Sequence, residues 1–150
     1  MNDQAIEQEI QDKGKTAPRI TPDDIQAAIA QTHYFTAAEG VIGNAAVESY
    51  KKDGDAGVGP WDFGNKRELN LLTFCVLVLR NGFTVTGESA CASPENFDAE
   101  IGRKIARQNA EQKIWMLEGY LLKQRMHDAP KTTPARSEER RVGKECMESV

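Results

Sequence analysis

With 150 residues, 39% of them hydrophobic, and a formal net charge of −4, the chain has apolar content for one modest core. The acidic balance excludes broad binding along a nucleic-acid backbone, although a local basic pocket for a small anion stays compatible with it. No apolar run of about 18 residues and no signal-peptide pattern is found, so neither a membrane nor export is expected and the chain is placed in the cytoplasm.

Residues 1–18 are polar and expected to be flexible, with at most a turn or two of helix from Ala5 to Asp12; a single domain is expected over 19–128. Thr21-Pro22-Asp23-Asp24 combines an N-cap hydroxyl, a proline at the first helical position and an acid at the third, which starts a helix expected over about 22–33. Ile25, Ala28, Ile29 and Thr32 give it one apolar face, suited to cover a sheet. His33-Tyr34-Phe35 then either seals the core or borders a ligand. The segment 40–70 is rich in glycine, with a short helix expected from Asn44 to Lys51 and an exposed loop, DGDAGVGP, that brings Trp61 and Phe63 back onto apolar surface.

From Leu71 to Arg80 the chain is apolar, Asn81-Gly82 suits a two-residue type I′ turn, and Phe83 to Thr86 resumes with β-branched and aromatic residues. An antiparallel hairpin is therefore expected over about 71–88, with Val78 opposite Val85 and Leu77 opposite Thr86. Its first strand is apolar on both faces and wants cover on both. The small residues Gly87 to Ser93 read as a tight loop whose backbone can approach a neighbour closely, which makes Ser89, Ala90, Cys91 and Ser93 a possible second ligand site. Ser93-Pro94-Glu95 next reads as the start of a long helix over about 94–125. The fold class expected is thus α+β.

That helix carries two apolar stripes, Phe97, Ile101, Ile105 and Trp115 on one side and Ala106, Ala110, Ile114, Leu117 and Leu121 on another. The ridge Gly102, Ala106, Ala110 suggests close contact with the same helix of a second copy, hence a homo-oligomer. Arg103 and Arg107 interrupt the second stripe, and Lys104 and Lys113 extend the positive surface. Their guanidinium and ammonium groups need either acids, as Glu111 would be for Arg107, or the phosphates of a ligand. Asn96, Gln108, Asn109 and Gln112 could read base edges or ribose hydroxyls, and Phe83, Phe97 and Trp115 could stack.

The segments LRNGFTVTGESACASPENFDAEIGRKIARQNAEQKIW and LEGYLL resemble a family of small phage and prophage proteins that includes the first family of Thoeris anti-defence proteins. The resemblance covers Leu69 to Leu122 and, more loosely, Thr21 to Gly40. It implies a binding protein, not an enzyme: a sponge that holds immune signalling nucleotides without cleaving them, namely glycocyclic ADP-ribose and, in some members, cyclic trinucleotides of the CBASS type. It further implies an α+β subunit forming dimers that can assemble into hexamers, at work in the cytoplasm of the infected bacterium. Within the matched segments, chemistry selects Phe83, Asn96, Phe97, Arg103, Lys104, Arg107, Asn109 and Trp115 as ligand-binding residues. No catalytic residue, metal site or cofactor is expected. Met116 departs from the Trp-Pro pair expected in relatives and continues the helix more readily.

Two histidines, His33 and His127, stand in no metal-ligand spacing with Cys75, Cys91 or Cys146, and no phosphate loop or nucleophile elbow occurs. Cys91 before a helix start remains the one candidate nucleophile, and an adaptor that grips a host protein is the other alternative. Residues 129–150 read as a tail, in which Arg136 to Cys146, RSEERRVGKEC, resembles the translation of a sequencing adapter.

Overall fold

The computed structural model describes residues 2–54 and 67–130, so the Trp61 and Phe63 loop and the segment 136–146 lie outside the described residues. The elements run α1 (Asp3–Asp12), α2 (Pro22–Ala28), β1 (Ile29–Thr36), α3 (Ala37–Asp53), α4 (Arg67–Asn70), β2 (Leu72–Leu79), β3 (Thr84–Ala90) and α5 (Ala99–Asp128). Together they form an α+β unit: a three-stranded antiparallel sheet, order β1-β2-β3, with α5 laid across one face.

Thr21 starts α2 as its sequence suggests, its hydroxyl accepting from the Asp24 amide while the Asp24 carboxylate accepts from the Thr21 amide. The helix expected to continue to residue 33 stops at Ala28. Ile29 turns extended, and Ile29–Thr36 pairs with β2, with a bulge between Ile29 and Gln31. The helical spacing of Ile25, Ala28, Ile29 and Thr32 loses to this pairing because β2 offers a free edge, and the run Thr32 to Thr36 is β-branched and aromatic apart from His33. With a neighbour on each side, β2 is central, which accounts for its unbroken apolar sequence. Thr36 then caps α3 through a reciprocal pair with Glu39, so this helix starts well before Asn44 and runs to Gly54, whose left-handed φ of 71° closes it.

The hairpin forms in a different register from the expected one. Val78 lies opposite Thr84, Leu77 opposite Val85 and Cys75 opposite Gly87. Only Gly82 takes a positive φ (90°), and the Leu79 amide donates to the Phe83 carbonyl, giving a three-residue loop, Arg80-Asn81-Gly82, in place of the type I′ turn. The Phe83 amide bonds the Asn81 side chain, which favours the longer loop. One residue of slip moves Val85 to the face of Leu77 and Cys75, where α5 covers it.

Two further expectations change around Gly87. Residues 87–90 are strand, not loop, and the neighbour that their small size admits is α5 itself: a Cβ at Gly87 would lie 2.1 Å from the Ala106 carbonyl oxygen and 2.3 Å from the Ala110 amide nitrogen. The ridge of Gly102, Ala106 and Ala110 is therefore buried against this chain's own sheet, not free for a second copy, and Ile114 completes it. Pro94 opens a single 3-10 turn, Pro94–Asn96; α5 begins later, at Ala99, where the Asp98 carboxylate accepts from the Glu100 and Ile101 amides, and it runs unbroken for 30 residues.

The core joins Ile25, Cys75, Leu77, Leu79, Val85, Ala106, Ala110 and Ile114. On the opposite sheet face Phe35 stacks on Phe74 at 5.5 Å beside α3, while Val76 and Val78 stay half-exposed. Of the first helical stripe, Ile101 and Ile105 are 55% and 41% exposed, while Phe97 and Trp115 are half-buried. Among the described residues no helix is long and apolar enough to cross a membrane.

Candidate functional site

β1 sets the side chains of Thr32 and Tyr34 opposite Leu77 and Cys75, on the face that α5 crosses. The flank of α5 nearest β1 carries Arg103 and Arg107, one turn apart, and the two guanidinium groups have different surroundings.

Arg107 is occupied within the chain. It donates from Nε to Glu111 (2.8 Å), from Nη1 to the Thr32 hydroxyl (3.1 Å) and from Nη2 to the side-chain amide oxygen Oε1 of Gln26 (2.9 Å), while the Gln26 side-chain amide nitrogen donates to Glu111 at 2.8 Å. Burial works to lower its pKa, but the Tyr34 hydroxyl and Glu111 outweigh burial and raise it. The group is a staple joining α2, β1 and α5. Arg103, by contrast, is exposed, lies 5.7 Å above the centre of the Tyr34 ring, and is paired with no carboxylate among the described residues.

The remaining expected ligand residues do not gather around that pair. Lys104 is exposed and pairs with Glu100 at 3.3 Å. Asn109 is on the other flank, donating to the Glu88 carbonyl at 2.8 Å and so tying α5 to β3. Asn96 is exposed at the 3-10 turn and Phe97 half-buried beside it. Trp115 packs against the core and borders a cleft of about 250 Å³ beneath α1, with Ile6, Ile10 and Ile20. Ser89 and Ala90 end β3; the half-buried Cys91 donates its thiol to the Ser93 carbonyl at 3.1 Å, and Ser93 makes no side-chain cap. The two histidines bond elsewhere, His33 to Gln31 and His127 to Asp128. Burial pushes the Cys75 thiol up, which leaves it chemically quiet.

Three of the amides do share a concavity. Gln108, Asn109 and Gln112 line a polar cleft of about 720 Å³, with Glu111 and, from the N-terminal end of α1, Asn2 and Asp3. A second concavity, apolar and of about 550 Å³, lies between the hairpin turn and the C-terminal half of α5. Phe83 is on its wall, joined by Arg80, Met116, Tyr120 and Leu121, none of which sequence reasoning named as site residues. Phe83, Met116, Tyr120 and Leu121 are 54%, 72%, 70% and 41% exposed. The spacing of Leu117, Tyr120 and Leu121, three and four residues apart, was the available signal. Tyr34 was visible only as the middle of His33-Tyr34-Phe35. Among the described residues no group of three or more acids, histidines or cysteines could hold a metal ion.

Residues 20–126 match the family described as Phage protein (N4 Gp49/phage Sf6 gene 66) family, a span from just before α2 almost to the end of α5. No curated protein and no solved structure matches the chain.

Proposed function

The chain belongs to the Phage protein (N4 Gp49/phage Sf6 gene 66) family, and from that premise we propose that it is a phage anti-defence protein that binds and holds nucleotide immune signals without cleaving them. The ligands proposed are glycocyclic ADP-ribose and, at a separate site, cyclic trinucleotides. The protein works in the cytoplasm of the infected bacterium as a homo-oligomer, a dimer or a trimer of dimers.

The observation that carries the reading is Arg103, an exposed guanidinium over an aromatic ring and paired with no carboxylate among the described residues. A cation in that state is suited to a phosphate. Lys104, next to it in sequence, pairs with Glu100, and the amide-lined cleft of Gln108, Asn109 and Gln112 lies apart from Arg103 on another flank of α5, where it offers donors and acceptors of the kind that ribose hydroxyls and base edges need. The exposed Ile101 and Ile105 and the partly covered Val76 and Val78 support a second copy, which would complete a site that one subunit leaves open on its surface.

Calorimetry of the full chain with glycocyclic ADP-ribose and with a cyclic trinucleotide tests the reading, followed by recovery of the ligand after heat denaturation. Binding with the ligand returned intact is the expected result. Absence of heat from both at micromolar protein sinks the proposal, and recovery of a cleaved product makes the protein an enzyme. The apolar groove at Phe83 and Tyr120 favours the adaptor as the second reading, and that reading requires that no nucleotide binds at all.

A further inference from the structure

We infer that Tyr34 is the positioning residue for an anion site at Arg103, and that the site takes a diphosphate-type group. The inference rests on the sequestration reading only for the identity of the natural ligand.

A cation–π contact gives the guanidinium of Arg103 a resting place 5.7 Å from the centre of the Tyr34 ring without an acceptor for its N–H donors, and no other acceptor for them is found among the described residues. A salt bridge would have consumed those donors, as Glu111 consumes one of Arg107. Arg103 thus rests against a ring with its donors unspent among the described residues, a state suited to bidentate capture of phosphate oxygens. An exposed arginine without a platform would give up side-chain entropy on binding, whereas this one has lost part of it already.

The platform is itself held still. Tyr34 projects from β1 at the register position opposite Cys75, packs against the core, and has its hydroxyl beside Arg107, which Glu111, Thr32 and Gln26 hold in turn. The first arginine stabilises the wall on which the second rests. This division of labour explains why two arginines one turn apart on one helix have such unlike surroundings. It also selects arginine at position 103, because an ammonium cannot present a planar fork.

The test follows the side-chain Nε–Hε resonance of Arg103 in the ¹⁵N-labelled full chain during titration with inorganic pyrophosphate at fixed ionic strength. A saturable shift of that resonance is expected. Tyr34→Leu should weaken pyrophosphate about two- to fivefold, the worth of an exposed cation–π contact, and Tyr34→Phe should restore it. Arg103→Lys should lose about tenfold or more, after which Tyr34→Leu should add nothing. A resonance that stays still, a Tyr34→Leu chain that binds as the parent does, or an equal Tyr34 effect in the Arg103→Lys background overturns the inference. Should Tyr34→Leu not fold, Arg103→Lys decides, since parental affinity in that variant also overturns it. If glycocyclic ADP-ribose binds while the Arg103 resonance is unmoved, this inference falls and the sequestration reading stands. If pyrophosphate moves Arg103 but no nucleotide binds, the reverse holds.

Discussion

Gly87 and Gly119 answer an added methyl in opposite ways. At Gly87 it would run into three backbone atoms of α5, which cannot swing aside as a side chain can, so the helix must lift off the strand. Gly87→Ala is expected to cost about 1–3 kcal/mol or more by overpacking, read as a lower urea midpoint. Gly119→Ala meets nothing within 4 Å and should raise stability by about 0.5–1 kcal/mol through helix propensity, read as a higher urea midpoint. Arg107 makes a similar point about charge. Its spacing from Glu111 was readable, but the partners Thr32 and Gln26 are 75 and 81 residues away, and no pattern within the helix could name them. Arg107→Ala is therefore expected to lower stability by about 1–3 kcal/mol in chemical denaturation, mostly as a loss of fold. An Arg107→Ala chain as stable as the parent would return the residue to the list of free ligand groups.

At the scale of elements, local signals place one helix start and miss others: the cap at Thr36 lies before the start expected at Asn44, the cap at Asp98 lies after the one expected at Pro94, and what depends on distant pairing is not legible at all. Thr21-Pro22-Asp23-Asp24 starts a helix because its caps are satisfied within four residues. The strand Ile29–Thr36 was hidden because its reason to extend, the free edge of β2, is contributed by residues 72–79. Asn81-Gly82 announced a turn, yet the dipeptide fits both a two-residue and a three-residue loop, and the choice sets the face of every residue after it. The N-terminal segment, expected to be flexible with at most a turn or two of helix from Ala5 to Asp12, carries α1 over Asp3–Asp12, tied to the domain by a bidentate pair in which Arg19 donates to Glu7 at 2.5 and 2.7 Å. That pair holds the Glu7 carboxyl down from 4.5 to about 2. A depressed carboxyl stabilises above its unfolded pKa and loses that effect as it protonates, so the attachment of α1 should be intact at neutral pH and fade between pH 4.5 and about 2. A carboxyl ¹³C titration of Glu7 with its midpoint near 4.5 would remove the basis for this window.

At the scale of the whole molecule, apolar surface stays open among the described residues along the outer stripe of Ile101 and Ile105 and at the groove of Phe83, Met116 and Tyr120, and the sheet face of Val76 and Val78 is only partly covered. The need for cover on two sides was legible in the composition of strand and helix, but the surface expected to meet a second copy was not, because the small-residue ridge proved internal. Sedimentation velocity of Val78→Glu and Ile105→Glu is expected to show a smaller assembly than the parent, with the circular dichroism of the fold unchanged. If both variants sediment as the parent does, copies associate through other surfaces. The length of α5 has a consequence of its own. Thirty residues span about 45 Å, yet the last fully buried residue is Ile114, so the final turns draw little support from the rest of the protein. Opening free energy should accordingly fall along this one rod, with amides near Ala106 exchanging only on global unfolding and those near Arg125 exchanging early. Slow exchange at the far end would then act as a gauge of occupancy, registering whatever companion lies against Tyr120 and Leu121.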